Sequence, residues 1–278
     1  MATHQTDWLN LLLAVKELEE GFDEFRLPFS QELDGQKFEL YLDDATARLW
    51  LNFNAPGEVT WGYNASPPRV DTYQALAIRP AILFVNLVFH DDPRQALSLV
   101  LDLAAAEAMI LHNQLPNHED ANPDLLRRLQ RTGDFSAVQV HVSHAGINGA
   151  RLARVHHRTR ELIGQRLLHT YSSEHAFEHI YLNDLFFSWQ SLAGPDKGMC
   201  DTDPCDYFKI ADRLYLFYWR ERIVPWVGMV LIDLAQNRTA GKVFYSDLTN
   251  PDKITHQLVG ARVTFLSETH YPDMSQDE

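Results

Sequence analysis

The chain contains two copies of one long sequence unit, and this duplication limits the possible folds more than any other feature. Three short segments recur in the same order, at separations of 129, 140 and 131 residues (162 − 33, 181 − 41 and 230 − 99). The recurring segments are 33–37 and 162–166, 41–44 and 181–184, and 99–103 and 230–234. A unit of about 130 residues is far longer than a solenoid repeat and has the size of a domain. The sequence therefore predicts two domains that share one fold.

Each unit consists of short runs of aromatic and β-branched residues that are separated by Gly, Asn, Asp or Pro. In the second unit, for example, 178–182 and 185–190 flank a turn at Asn183, and the runs 214–221 and 226–234 follow. Short β-runs with turns at this spacing are typical of an antiparallel meander that closes as a barrel or packs as a sandwich. Closure is favourable because it leaves no exposed sheet edge.

Helical patterns interrupt the β-runs at the start of the chain and between the units. Residues 7–20 place their apolar side chains on one face, which predicts a leading helix. Asn122 is the predicted N-cap of a linker helix over 123–131, which stops at Gly133. The segment 102–111 is rich in Ala and Glu, but its counterpart in the second unit has the pattern of two strands joined by a turn. We therefore predict a β-hairpin there rather than a helix.

Composition and charge argue against several classes of protein. The net charge is −14 and no dense basic stripe is present, so binding to a phosphate backbone is not expected. No apolar run is long enough to span a membrane, and the first residues lack the pattern of a signal peptide. Cys200 and Cys205 are too few for a secreted disulfide framework. We predict a cytoplasmic protein with two free thiols that binds neither nucleic acid nor a membrane; the sequence leaves its oligomeric state open.

Much of the second unit resembles the MoaF family, which is named for molybdenum cofactor biosynthesis. The resemblance is carried by 181–183, Trp189, 197–198, 201–205, 207–212, 214–225 and 228–234, and the N-terminal half matches more loosely. It implies two tandem calycin units, which are lipocalin-like antiparallel β-barrels. It implies little about activity, because the sequence contains neither a nucleotide-binding loop nor the cysteines of an iron–sulfur cluster.

The predicted organisation is therefore mainly β, with two lipocalin-like units in tandem. An N-terminal unit with its leading helix occupies 1–114, and a helical linker occupies 115–136. The C-terminal unit occupies 137–270, and an acidic tail follows at 271–278.

The strongest candidate for a binding site is the strand predicted at 214–222. One of its faces carries Tyr215, Phe217, Trp219 and Glu221, and Arg220 lies on the other. An aromatic stripe that ends in a carboxylate suits the wall of a ligand cavity, in which Glu221 would fix a polar group. The alternative is an ordinary barrel core with Glu221 at its solvated rim. Arg220 could pair with a carboxylate or a neighbouring strand.

An acidic segment, 201–207, precedes this strand. It could bind a cation, but it lacks the glycine and the distant glutamate of an EF-hand, and Asp and Thr more often cap turns. We therefore predict a turn and no metal site. Tyr207 would then stand at the mouth of the barrel together with Asp201 and Asp203.

Histidine is concentrated between 141 and 179, where seven of the 13 lie. The spacing of these residues does not place any pair as a ready metal clip on a strand. We expect most of them to be exposed or in hairpins, with His179 the best candidate to line a cavity.

From these observations we predict that the second unit binds a small apolar or aromatic molecule inside the cell, without a cofactor or a metal. The predicted ligand-binding residues are Trp189, Tyr215, Phe217, Trp219, His179, Asp201, Asp203 and Arg220, and the candidate catalytic residues are Glu221 and Tyr207. The alternative is a cofactor-independent lyase or isomerase/cyclase acting on a small aromatic or polyketide-like substrate, a class to which calycin-fold phenolic acid decarboxylases belong. A third possibility is a scaffold of two filled barrels for a protein partner.

Overall fold

The computed structural model describes residues 21–42, 47–117, 120, 124–247 and 250–272. Within these residues the chain forms 17 strands and one helix, so the fold is mainly β as predicted. That helix spans only eight residues, and no helix in the described ranges is long and apolar enough to cross a membrane. The predicted leading helix at 7–20 lies outside the described residues, and so does most of the predicted tail.

The first eight strands form one closed antiparallel barrel, here called the first barrel. Its strands are β1 (Lys37–Leu42), β2 (Arg48–Ala55), β3 (Glu58–Tyr63), β4 (Arg69–Arg79), β5 (Ile82–Val88), β6 (Gln95–Asp102), β7 (Glu107–Gln114) and β8 (Gln139–Ile147). Each strand pairs with the next, and β8 pairs back with β1. Short hairpins with polar turns join most neighbours, which is the meander that the sequence indicates.

The second barrel repeats this plan with another eight strands. They are β10 (Gln165–Thr170), β11 (Ala176–Tyr181), β12 (Phe186–Ala193), β13 (Cys200–Ala211), β14 (Leu214–Arg220), β15 (Trp226–Asp233), β16 (Arg238–Ser246) and β17 (Ile254–Glu268). The pairing of β17 with β10 completes the ring. A two-residue strand, β9 (His157–Arg158), precedes the barrel and pairs with β13. The two tandem barrels are consistent with the calycin-like fold that the resemblance implies.

Strand pairing places the two barrels in a residue-by-residue correspondence. Asp71 pairs with Val59 in the first barrel as Asp203 pairs with Phe187 in the second. Two of the three sequence matches that predict the duplication occupy equivalent positions. The third does not, because Tyr41 lies near the end of β1 whereas Tyr181 ends β11, the equivalent of β2. That match arose because both segments end a strand.

The linker helix α1 (Leu125–Thr132) begins later than predicted. Its N-cap is Asp124, whose side chain accepts a hydrogen bond from the Arg127 backbone N–H, and not Asn122. Gly133 ends the helix as predicted, in the left-handed conformation that favours glycine. The helix interrupts the hairpin of β7 and β8.

Strand β8 follows the helix but belongs to the first barrel. It pairs with β7 along its whole length and with β1 at the other edge. The predicted boundary after residue 136 therefore placed one strand of the first barrel in the second unit. The equivalent strands β16 and β17 are joined by a short loop, whereas residues 115–138 separate β7 from β8, and this insertion concealed the hairpin in the sequence.

The predicted hairpin at 102–111 is confirmed, and its turn is duplicated at the level of side chains. Asp102 ends β6 and accepts hydrogen bonds from the backbone N–H groups of Ala104 and Ala105. Asp233 ends β15 and accepts bonds from Ala235 and Gln236 in the same way. These carboxylate caps hold an Ala-rich segment in a turn against its helical propensity.

The barrels pack side by side through the outer faces of their walls. The shared core includes Leu76, Phe84, Val100 and Met109 of the first barrel and Leu216, Met229, Leu231 and Phe244 of the second. Arg79 donates two hydrogen bonds of 2.7 Å across this interface to Asp233. Because β14 uses one face for this contact, its other face is available to the interior of the second barrel.

Candidate ligand cavity in the second barrel

A cavity of about 150 Å³ opens at one end of the second barrel. Its aromatic walls include Phe22, Phe177, Phe187, Trp189, Trp219 and Trp226. Its polar residues include His179, Asp196, Asp201 and Glu221, together with Tyr171 and Cys200. The lining also includes residues of the turns that follow β10, β12 and β14, which places the cavity at the end of the barrel where these turns meet.

The predicted alternation of β14 is confirmed. Tyr215, Phe217 and Trp219 point into the second barrel, whereas Leu214, Leu216 and Tyr218 pack toward the first barrel. Of the inward residues, only Trp219 lines the cavity. Phe217 stacks beneath Trp219 at a centroid distance of 5.4 Å, and the Tyr215 hydroxyl donates to Glu161 at 2.7 Å near the opposite end. The stripe is thus a stack of rings whose last member reaches the cavity.

The backbone opposite Trp219 makes room for its indole. Gly228 is the pairing partner of Trp219, and a Cβ added there would lie 2.2 Å from the ring. The large ring therefore depends on glycine across the strand pair, because any side chain at that position would clash with it.

Two carboxyl groups, the buried Asp203 and the partly buried Glu221, meet at the cavity end of this ring stack. Glu221 contacts Asp203 through a side-chain hydrogen bond. The Trp219 indole N–H donates to Glu221 at 2.9 Å, and the Trp189 indole N–H donates to Asp203 at 2.9 Å. Each carboxyl group is therefore held by one tryptophan of the cavity wall.

The environment of the carboxyl pair favours one shared proton. Burial raises the pKa of Asp203, and burial together with the neighbouring Asp203 charge raises the pKa of Glu221 well above its ordinary range. Asp203 also accepts the Arg222 backbone N–H at 2.9 Å and lies 3.8 Å from the Arg222 guanidinium. Because Asp203 has the more donors, the shared proton resides on Glu221, and the pair carries one negative charge.

The acidic segment forms a strand and not the predicted turn. Cys200–Ala211 is β13, and Asp201 and Asp203 project from the same face of it. Asp201 lines the cavity and forms an ion pair with the Arg222 guanidinium. Side chains of neighbouring segments, Arg222 for Asp201 and Trp189 for Asp203, hold both carboxylates along this extended stretch.

Tyr207 lies below the cavity and not at the mouth, where the turn interpretation placed it. Its ring is buried, stacks on Phe217 at a centroid distance of 5.5 Å and does not line the cavity. Its hydroxyl accepts a hydrogen bond from the Cys205 thiol at 3.1 Å, and burial raises the pKa of Tyr207 above its ordinary value. Because 200–206 is extended, Tyr207 is carried into the barrel.

Cys200 and Cys205 are both free thiols, as predicted.

His179 lines the cavity, and it is buried together with a second histidine. Its ring lies 4.2 Å from that of His169 and 5.7 Å from that of Trp219, and its Nδ1 has no hydrogen-bond partner among the described residues. Burial lowers the pKa of His179 well below its ordinary value and that of His169 to about 3. Both rings are therefore neutral. His169 is held by Tyr181 and Thr239.

Most of the clustered histidines were expected to be exposed or in hairpins, and four of the seven are buried. They are His156, His169, His175 and His179. His169 and His179 lie on strands, among aromatic residues, whereas His156 and His175 lie outside the strands, where no alternation indicates burial.

Arg220 lies outside the cavity, on the opposite face of β14 from Trp219. Its guanidinium donates to Asp134 at 2.5 Å and to the Val138 carbonyl at 3.2 Å, and so attaches β14 to the segment after α1.

Of the predicted site residues, the cavity lining brings together five, which are Trp189, Trp219, His179, Asp201 and Glu221. Asp203 lies directly behind Glu221.

The cavity also uses residues that the sequence analysis missed. Phe177 lies two residues before His179 on β11, and Phe187 on β12 is the pairing partner of Asp203. Both phenylalanines line the cavity, so strand alternation could have found them. Phe22 could not be found in this way. It precedes the first barrel in the sequence, yet its carbonyl accepts the Gly260 N–H at 3.2 Å and its ring lies 4.6 Å from that of Tyr171.

Comparison with known proteins agrees with this architecture. Residues 7–117 match the MoaF N-terminal domain and residues 156–269 match the MoaF C-terminal domain. Protein MoaF from Klebsiella aerogenes is 34% identical over 239 residues, which cover 86% of this chain and 88% of that protein. The chain belongs to the MoaF family. The resemblance of the second unit is therefore confirmed, and every described residue that lines the cavity, except Phe22, lies in the segment that matches the MoaF C-terminal domain.

Among solved structures, a candidate beta-lactamase from Burkholderia vietnamiensis matches with a TM-score of 0.32 and 14% identity. The match covers 40% of this chain and 99% of that chain.

Proposed function

We propose that the second barrel of this MoaF-family protein binds a small molecule that has a flat apolar body and one polar group. The observation that carries the proposal is the cavity of about 150 Å³, which has aromatic walls and ends at a carboxyl pair. An apolar cavity of about 150 Å³ accommodates one benzene-sized ring. The walls would enclose such a ring, and the carboxyl pair would meet its polar substituent.

The properties of the carboxyl pair also support a functional role for this cavity. Burying an ionisable group is unfavourable unless it is paired and hydrogen-bonded, and the pKa of Glu221 is displaced upward by that burial. Strongly displaced pKa values in a cleft are typical of functional sites. Glu221 is partly buried and faces the cavity, so a ligand can replace water as its partner.

The proposal is tested with benzyl alcohol as a single-ring probe, by calorimetry and by the fluorescence of the cavity tryptophans. Val243 lines the cavity, so Val243→Phe fills it and should weaken probe binding at least about tenfold. The matched control is His112→Phe in the first barrel, because His112 pairs with Leu97 as Val243 pairs with Gly228. Saturable binding that Val243→Phe leaves intact, or no saturable binding to the wild type, would contradict the proposal.

The shared proton favours a second candidate, a cofactor-independent lyase or isomerase. A protonated Glu221 beside an ionised Asp203 supplies an acid and a base within one desolvated pair, which suits proton transfer to and from carbon. The test is the exchange of the α-protons of phenylacetone in D₂O, followed by NMR. Exchange faster than with Glu221→Gln supports catalysis, and equal rates leave binding as the function.

A further inference from the structure

The charges that line the cavity have one sign. Of the described lining residues, Asp196, Asp201 and Glu221 are carboxylic acids, and none is a lysine or an arginine. The neighbouring Arg222 is occupied, because its guanidinium pairs with Asp201. Asp196 accepts a hydrogen bond from the Ser191 hydroxyl at 2.8 Å, which holds it without supplying a positive charge.

The carboxyl pair adds a negative charge that Arg222 offsets only in part, because the same guanidinium also pairs with Asp201. With one proton shared, Glu221 and Asp203 together carry a charge of about −1. Arg222 approaches Asp203 only at 3.8 Å, and it is already paired with Asp201. The interior of the cavity is therefore net negative at neutral pH.

The aromatic walls favour positive charge as well. Indole faces attract cations through the negative face of the ring, most strongly where water is excluded. The N–H groups of Trp189 and Trp219 are already donated to Asp203 and Glu221. Neither is therefore available to a carboxylate or phosphate ligand, so an anion in the cavity would face carboxylates without donors from these two tryptophans.

One buried acceptor at the cavity has no partner. His179 is 4% exposed, lines the cavity, and leaves Nδ1 unpaired among the described residues. The ring is neutral, so Nδ1 can accept a hydrogen bond when the proton is on Nε2. An ammonium group, which only donates, would complement both this nitrogen and the carboxyl pair.

We propose that the cavity selects a small organic cation, an ammonium group on an apolar body about the size of one aromatic ring. The proposal rests on the proposed binding function and adds the charge of the ligand. It is carried by the acidic lining, the occupied indole N–H groups of Trp189 and Trp219, and the unpaired nitrogen of His179.

Three single-ring probes of similar size and different charge test this proposal on the full chain at neutral pH. Benzylamine is a cation, benzyl alcohol is neutral and benzoate is an anion. Calorimetry should show benzylamine binding at least about tenfold more tightly than benzyl alcohol, with benzoate the weakest. Equal or tighter binding of benzyl alcohol or benzoate would overturn the cation proposal and leave the binding function standing. Failure of all three probes to saturate the protein would instead overturn the binding function.

A double variant identifies the source of the preference. Asp203→Asn with Glu221→Gln keeps the shape of the pair and removes its charge, so the advantage of benzylamine over benzyl alcohol should fall to about twofold or less. Benzyl alcohol provides the internal check that the cavity is intact, and circular dichroism checks the fold. The matched control is Asp71→Asn in the first barrel, where Asp71 accepts the Trp61 indole N–H at 2.9 Å, and it should keep the full preference. A preference that survives in the double variant would overturn the role of the carboxyl pair.

Discussion

Both barrels contain an equivalent buried aspartate that accepts the same two kinds of hydrogen bond, but different side chains lie beside it. In the first barrel, Asp71 accepts the Trp61 indole N–H at 2.9 Å and the His90 backbone N–H at 2.8 Å. In the second barrel, Asp203 accepts the equivalent bonds from Trp189 and Arg222, both at 2.9 Å. A buried aspartate bonded to a tryptophan is thus part of the common frame and does not by itself mark a site.

The difference lies beside that aspartate. Phe89 occupies the position of Glu221, and Arg69 occupies that of Asp201, as the strand registers show. Arg69 lies over the rings of Trp61 and Phe89 and 3.7 Å from Asp71. Arg69 and two aromatic rings therefore surround the aspartate of the first barrel, whereas in the second barrel Glu221 lies beside the aspartate and the nearby arginine, Arg222, is shared with Asp201.

The interiors diverge in the same direction. His169 and His179 correspond to Leu40 and Leu51 of the first barrel, and both leucines are fully buried. Trp219 stands opposite Gly228, whereas its equivalent Leu87 stands opposite Leu97. At this level the first barrel therefore pairs two leucines, whereas the second pairs the indole of Trp219, a cavity-lining residue, with a glycine.

The largest expected effect comes from comparing Trp219, which forms a wall of the cavity, with Leu87, the equivalent core residue of the first barrel. Trp219→Ala should lower the free energy of unfolding by about 3–5 kcal/mol. It should also abolish binding of the benzyl alcohol and benzylamine probes, because it removes a cavity wall. Leu87→Ala should cost about 2–5 kcal/mol and leave probe binding unchanged. Urea unfolding and calorimetry measure the two effects. If Leu87→Ala weakens binding as much as Trp219→Ala does, the barrels do not divide function in this way.

The next effect tests whether Trp219 and Gly228 share one space in the second barrel. Gly228→Leu alone should destabilise the protein by about 1–3 kcal/mol, because its side chain meets the Trp219 indole. Adding Trp219→Leu recreates the pair of leucines found in the first barrel and should recover most of that loss. Additive losses in urea unfolding of the single and double variants would show that the two residues do not share one space.

The smallest effect concerns the pH dependence of stability. The pKa of Glu221 is raised in the folded protein above its ordinary value of about 4.5, so the folded state holds a proton that the unfolded state has lost. Stability from this group is therefore lost as pH rises from about 4.5 through the folded pKa. Glu221→Gln should remove that loss and exceed the wild type in melting temperature by more at pH 8 than at pH 5. A difference that is constant or shrinks with pH would contradict a raised pKa.

The sequence predicts the inward face of β14 well and the surroundings of that face less well. Alternation alone places Trp219 and Glu221 on one inward face, because a strand period of two leaves no other choice. Tyr207 was misplaced because an acidic run resembles a turn until its cross-strand partners are known. Strand β8 was assigned to the wrong unit because a helical insertion separates it from β7. Phe22 reaches the cavity from outside the repeat, and no local pattern encodes that contact.

The central claim is that the second barrel, and not the first, is hollow and holds a ligand against Glu221. A crystal structure of the protein grown with benzylamine tests it most directly. The account predicts the ring between Trp189 and Trp219, with the nitrogen within hydrogen-bond distance of the Glu221 carboxyl group. An interior closed by rearranged side chains, or benzylamine bound in the first barrel, would contradict the account.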